Sequence, residues 1–332
     1  MKSKIPDITK QIYADDILNV LEKKYSTIGP LWASQQMEWM NGVYSSFKDH
    51  DKFLILIFLV KKTLDFYSRN FIKLSYEDFY SRDTVEIEKF SISEISQALD
   101  IPKESTRRKI LELRNEGVIK KSRKGLIVDR SKFYYSKPEH SIKRISRFLA
   151  VLAEMCEDEK TLSKRVTSKE FELIIKNNFS YIWKIYYELQ IQMVIGYKKI
   201  FKDIETFHIY GICVVNQHLF ARNLSKDYMH RNEFIKTIFY ADKIKGINAM
   251  SISDITGIPR ATVIRKLKKL LEQKHLTIND KKLYRLSGNY LKKVSNRQIE
   301  VLTKLANFSS KIFNIHLLNE NNILPGNKKK YL

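Results

Sequence analysis

The sequence predicts a mainly α fold written twice: a long-helix scaffold followed by a helix–turn–helix–hairpin unit, then the same plan again. Three observations predict it. Only 10 Gly and 6 Pro occur in 332 residues, against abundant Lys, Ile, Leu, Glu and Phe, a balance that favours helix. The stretch Ser91 to Val128 sets caps, apolar faces and turn residues in a fixed order. Ser251 to Tyr284 then sets much the same order again.

Residues 1–26 read as an N-terminal helical arm that packs on the rest through one apolar face of Ile12, Ile17, Leu18 and Leu21. A first domain, 27–160, opens on a helix over 28–48 rich in large side chains: Leu31, Trp32, Met37, Trp39, Met40, Tyr44 and Phe47. The next helix, 51–70, contains FLILIFLV from Phe53 to Val60 and is apolar on nearly all sides. Such a helix is buried, here against several helices or against another copy. Residues 71–90 read as a polar, aromatic connection ending in DTVEIEKF.

The first helix–turn–helix–hairpin unit spans about 91–135. Ser91 and Glu94 are spaced for a capping box ahead of Ile92, Ile95 and Leu99, each side chain satisfying the other residue's backbone N–H. Asp100 tolerates the left-handed backbone of a sharp turn. Pro102 takes a first-turn position where no N–H is needed. Thr106, Ile110 and Leu113 then share one face and Gly117 ends the helix. Val118-Ile119 and Leu126-Ile127-Val128 read as strands around the basic tip Lys120 to Gly125. Ser136-Lys137-Pro138 breaks the chain, a helix follows over 141–157, and residues 158–167 are the expected linker between halves.

A second domain covers 165–320. Residues 168–222 read as helical almost throughout, kinked or broken near Gly196 and again near Asp203. A connection over 223–250 leads to the second unit at about 251–287, a final helix over 292–318, and a basic tail, 321–332. Ser251 and Asp254 repeat the cap spacing, Gly257 stands for Asp100, and Pro259 for Pro102. The offset is 160 at the serines (251 − 91) but 157 at the prolines (259 − 102). Copy 2 is therefore expected to lack three residues of its first helix, nearly one turn. Upstream, Phe47-Lys48-Asp49 and Phe201-Lys202-Asp203 match at an offset of 154, which reads as a helix junction with an Asp cap and a Phe anchor.

Helix, tight turn, helix and β-hairpin, with IPKESTRRKILELRNEGVI in the place of recognition helix and first wing strand, is similar to the winged helix-turn-helix DNA-binding proteins. The long flanking helices resemble those of MarR-type transcription regulators, in which such helices build a dimer interface. The resemblance implies an intramolecular pseudo-dimer, or a homodimer, presenting two recognition helices to double-stranded DNA about one helical turn apart. The expected contacts in copy 1 are Lys103, Glu104, Ser105, Arg107 and Arg108, with Arg123 and Lys124 at the wing. In copy 2 they are Arg260, Thr262, Ile264, Arg265 and Lys269, with Lys281 and Lys282 at the wing. Arg can pair bidentately with guanine, Glu can accept from cytosine, and Ile264 and the Thr262 methyl suit thymine methyls. Copy 1 carries five basic and three acidic residues from Pro102 to Gly117, copy 2 six and one from Pro259 to Lys274. Copy 2 should therefore lean more on phosphates. The bland reading of Lys266, Lys268 and Lys269 is a solvated face.

A formal net charge of +23 points to a polyanionic partner. The longest apolar run is eight residues, far short of a bilayer span, so no membrane is expected. The N-terminus carries no signal-peptide stretch. A cytoplasmic, nucleoid-associated protein is expected, with Cys156 and Cys213 as buried thiols. No Gly-rich phosphate loop, metal-ligand spacing or nucleophile constellation occurs, so the chain reads as neither an enzyme nor a cofactor carrier. Glu154, Glu157, Asp158 and Glu159 read as a solvated helix end. Large aromatics near Trp32, Trp39 and Trp183 leave room for a small-molecule effector, plain core being the other reading. The function expected is a sequence-specific double-stranded DNA-binding transcription regulator. The alternatives are a plasmid-type replication initiator, which also uses two winged helices, and a winged-helix protein-interaction module.

Overall fold

The computed structural model describes residues 8–123, 125–133, 137–224, 228–240, 245–288 and 291–320. The expected basic tail and Lys124 lie outside them. The described chain is mainly helical, with fourteen α-helices and five strands. α1 (Ala14–Lys23), α2 (Tyr25–Phe47), α3 (His50–Arg69) and α4 (Tyr76–Phe79) lead into β1 (Thr84–Ile87). α5 (Ile92–Leu99), α6 (Lys103–Asn115), β2 (Ile119–Ser122), β3 (Gly125–Asp129) and α7 (Glu139–Asp158) complete the first half. The second half runs α8 (Ser168–Asn177), α9 (Phe179–Phe201), α10 (Ile204–Leu224), α11 (Arg231–Tyr240), α12 (Ala249–Thr256), α13 (Arg260–Glu272), β4 (Leu276–Ile278), β5 (Tyr284–Leu286) and α14 (Leu291–Glu320).

The helix lengths match in order. α1 and α8 have 10 residues each and α2 and α9 have 23. α1/α8, α2/α9 and α3/α10 each start 154 residues apart (168 − 14, 179 − 25, 204 − 50). The scaffold packs across the halves: α2 against α10, α3 against α9, α1 against α14, and α7 against α8. Exchanging α1 with α8, α2 with α9, α3 with α10 and α7 with α14 turns each of these pairs into another of them. The eight-residue apolar run thus lies in α3, with Leu54, Ile55, Leu56 and Ile57 at most 2% exposed. Full burial of one such side chain contributes about 1.5–3 kcal/mol.

Breaks follow local chemistry. Lys48 and Lys202 both turn the chain in the left-handed region (φ 53° and 71°). Asp49 then accepts from Lys52 N at 3.1 Å, and Asp203 from Thr206 N at 2.7 Å. The junction expected there is present in both halves. The break expected near Gly196 is not: α9 runs through it unbroken, and the earlier break falls at Asn178, between α8 and α9. Gly196 instead makes room for a side chain, since a Cβ there would lie 1.8 Å from the Arg297 guanidinium. That guanidinium donates to Gln192 O at 2.7 Å.

Two further expectations need correction. The connection 71–90 contains α4 and β1, and β1 pairs with β3 to give a three-stranded antiparallel sheet in the order β1-β3-β2. Val85 and Ile87 point into the core and Thr84 and Glu86 out, the alternation of a half-buried strand. In the second half that third strand shrinks to one bridge, Ile247 to Tyr284. The N-terminal arm packs on the rest of the chain: α1 docks along α14, and Asn314 Oδ1 accepts from Ile12 N at 2.9 Å. Finally, the acidic cluster at the end of α7 is an ion-pair network. Arg165 meets Glu154 at 2.9 Å and Glu157 at 3.0 Å, and Lys24 meets Asp158 at 3.0 Å. Lys23 of α1 adds Glu159 at 2.5 Å, so the network ties the expected linker, 158–167, to α7 and α1.

Cys156 and Cys213 are buried free thiols, both pushed up to about 12 by burial.

Candidate nucleic-acid interface

α5 begins on the expected capping box, with Ser91 accepting from Glu94 N at 3.0 Å and the Glu94 carboxylate accepting from Ser91 N. Asp100 closes α5 at φ 51°. Pro102 is the cap residue just before α6 rather than a residue of its first turn, and Pro259 does the same for α13.

The cap expected at Ser251 is wrong. Asn248 caps α12, accepting from Ser251 N at 2.9 Å, and Ser251 sits inside the helix. α12 and α5 therefore have the same eight residues. The missing turn inferred from the serines does not exist. From cap to turn the offset is a constant 157: Ser91 to Asn248, Asp100 to Gly257, Pro102 to Pro259. Even the turn's internal bond repeats, with Ser96 Oγ donating to Ile101 O and Ser253 Oγ to Ile258 O, both at 2.7 Å.

Both second helices seat an apolar side. Thr106, Ile110 and Leu113 of α6 and Val263, Leu267 and Leu270 of α13 are buried. Each also sends a buried lysine to the scaffold. Lys109 pairs with Asp49, and Lys266 with Asp203 at 2.7 Å. Both lysines are 8% exposed. Lys52 of α3 adds Glu112 at 2.9 Å and Glu116 at 2.6 Å. Burial works against the Asp203 carboxylate, but hydrogen bonds from Lys266 and Thr206 outweigh it and hold the group down at about 2. These anchors went unread in the sequence. Their signal was the lysine at offset 157 together with the aspartate at offset 154.

Of the expected contacts, Lys103, Glu104, Arg107, Arg108, Arg260, Ile264 and Arg265 are exposed and Ser105 and Thr262 half-buried. Arg107 pairs with Glu104 at 3.1 Å, and Arg108 reaches Glu112 at 3.8 Å. Arg123 is exposed at the turn between β2 and β3, and Lys281 and Lys282 at the turn between β4 and β5. There Asn279 Oδ1 accepts from Lys281 N at 3.1 Å and Leu283 N at 3.0 Å, shaping the tip. Lys269 differs from the expectation, because its Nζ turns back to Asp203 at 3.2 Å. Lys266 is likewise no part of a solvated face. Lys121, Arg114 and Lys268 are exposed cations beside the expected ones.

The two seats meet at one cleft of about 230 Å³, bordered by Asp49, Lys109, Asp203 and Lys266. His50 and His208 lie behind it, ring to ring. His208 Nε2 faces Asn41 Oδ1 at 2.8 Å, and His50 Nε2 faces His208 Nδ1 at 3.1 Å. A neutral His208 that donates to Asn41 through Nε2 accepts from His50 at Nδ1. Burial pushes His50 down to about 3 and His208 well below the usual imidazole range, so both rings are neutral near pH 7.

Among the described residues no group of three or more His, Cys, Asp or Glu side chains could hold a metal ion, and no helix is long and apolar enough to cross a membrane. No family model, curated protein or solved structure matches the chain.

Proposed function

We propose that this protein is a sequence-specific double-stranded DNA-binding regulator in which two winged helix-turn-helix copies within one chain act as a pseudo-dimer. One observation carries the reading. α6 and α13 each commit one side to the scaffold, through buried aliphatics and a Lys–Asp pair, and leave the other side cationic in solvent. Charge left exposed on a seated helix can meet base edges and phosphates, the solvent-exposed pairs of Arg107 with Glu104 and Arg108 with Glu112 being weak enough to exchange. The exposed residues at matching places differ: Arg107 stands against Ile264 and Glu104 against Ala261, while Arg108 and Arg265 agree. Two unlike readers on a symmetric frame favour an imperfect palindrome.

Selection from a random DNA pool, then footprinting and a salt titration, tests the proposal. With roughly 6–10 phosphate contacts, log affinity should fall with log salt at a slope of about −5 to −9. Arg108→Ala and Arg265→Ala should each weaken binding about tenfold or more, as for lost bidentate contacts, with circular dichroism unchanged. Selection that enriches no sequence, or both variants binding like the parent, would sink the reading.

A further inference from the structure

The two long scaffold helices that start 154 residues apart are not equally filled. Trp183 of α9 stacks on Phe179 at 5.2 Å and meets Tyr186 at 4.7 Å between centroids. Its match in α2 is Gly29 (183 − 154), and the match of Tyr187 is Ala33 (187 − 154). Each half has a cavity at this place. Around Trp183 and Tyr187 it is only about 30 Å³, with Trp39, Val43 and Phe53 in its wall. At Gly29 and Ala33 it is about 80 Å³, with Met193, Tyr197 and Phe207 in its wall. Those three stand 154 residues after Trp39, Val43 and Phe53. Thus an indole and a phenol fill one half, where the other has a hydrogen with the Tyr25 ring lying over it, and a methyl.

The larger cavity also holds polar groups that nothing in the protein satisfies. Gln36 is 3% exposed, and neither its Oε1 nor its Nε2 has a hydrogen-bond partner. His218 is equally buried, and its Nδ1 has none. A buried polar group left unpaired is costly; Gln190, the match of Gln36, is unpaired too, but only this cavity sets an imidazole nitrogen beside the amide, and together they offer a partner to a polar ligand edge. Gln298 also reaches the wall, where its Nε2 donates to Tyr25 Oη at 2.5 Å; the other lining residues are apolar or aromatic, and no Asp, Glu, Lys or Arg lines the cavity among the described residues. Burial lowers the His218 imidazole to about 4, which leaves the site without charge near neutrality.

We propose that the cavity between α2, α9, α10 and α14 binds one uncharged, planar aromatic molecule of phenol to indole size that carries an N–H or O–H. The ring lies against Tyr197 and Phe207, which stack on each other at 4.4 Å, and the polar edge meets Gln36 and His218. A cavity of roughly 150 Å³ takes up benzene in an otherwise apolar core, so this one opens somewhat on binding. Met37 and Met193, both in its wall, are the unbranched side chains that can yield. A charged aromatic is excluded by the lack of a counter-charge.

The test is isothermal titration of the full chain, without DNA, using indole and its isostere indene, which lacks the N–H. It therefore fails or succeeds independently of the DNA reading. The parent should bind one indole and prefer it to indene at least tenfold. Gln36→Leu should bring that preference to twofold or less. Ala33→Phe, which places a ring where the other half has Tyr187, should weaken indole at least tenfold with the thermal midpoint held or raised. Ala33→Leu is the milder filling should the phenylalanine fail to fold. No indole binding by the folded parent up to its solubility limit overturns the assignment. So does a preference unchanged in Gln36→Leu, or undiminished affinity in a folded Ala33 variant.

Discussion

Lys109 and Lys266 show how one side chain decides what its neighbours are free to do. A buried ammonium needs a counter-charge, and each lysine finds one in the aspartate that starts the adjoining scaffold helix. The aspartate does two jobs, capping α3 or α10 and holding α6 or α13. Asp203→Ala should therefore lower stability by about 2 kcal/mol in urea unfolding: about 1 for the cap and the rest for Lys266. The sum stays below the range for fully buried pairs because the carboxylate is a third exposed. Lys269→Met, which removes the more exposed partner, should cost under about 1 kcal/mol. Histidine sets the acid limit. His50 is held down at about 3 and His218 at about 4 by burial, and His208 is lowered too. Below the ordinary value of about 6.5 the unfolded chain takes up protons that the folded chain refuses, so stability falls with pH. The loss begins near pH 6.5 and runs down to about 3–4. Urea midpoints at pH 7.5 and 5 should differ, with the lower at pH 5, and His218→Phe should reduce the difference. Equal midpoints in the parent would contradict the buried neutral rings.

Helix caps are where the sequence was easiest to misread. Ser91 was legible because Glu94 follows at the right spacing and nothing upstream competes. In the second half Asn248 and Ser251 both suit a cap, and the matching letters SIS drew the alignment to the serine. The choice between them is set by helix length, since α12 packs on α10 as α5 packs on α3. Asn248→Ala should cost about 1 kcal/mol, while Ser251→Ala should stay within about 0.5, both read from urea midpoints. The reverse order would restore the shorter helix. The exposed sides of α6 and α13 were legible because a 3.6-residue period separates them from Ile110, Leu113, Leu267 and Leu270. β1 was harder. Val85 and Ile87 alternate correctly, but the partner strand lies some forty residues away, and four residues without a nearby turn give little signal. The Lys–Asp anchors were hidden for the same reason. A cap is local, whereas what else the carboxylate holds is settled only when 60 or 63 residues of chain fold back.

At the scale of the whole molecule, the halves suggested by sequence are not beads on a string. α2 lies on α10 and α3 on α9, so each half supplies part of the wall that buries the other's third long scaffold helix, α3 or α10. Half-sized fragments would each strip from the run Phe53 to Val60, or from its counterpart in α10, the part of its cover that the other half supplies. A protease site placed between Ser163 and Lys164, within the chain that joins α7 to α8, should therefore cut the backbone without releasing the parts. After cleavage the sample should elute at the mass of the intact chain, 39.3 kDa, and separate only in denaturant. Residues 1–160 or 165–332 made alone should aggregate or pair with themselves, burying the same surface in a two-fold dimer. Mixing the two during refolding should regain the uncut assembly. The frame has a consequence for the two cationic helices: seated on a shared set of cross-packed helices, they move relative to each other only if that packing changes. Two folded monomers eluting apart after cleavage would show that the cross-half contacts do not hold the molecule together, and with them would go the fixed spacing on which a paired reader of one duplex depends.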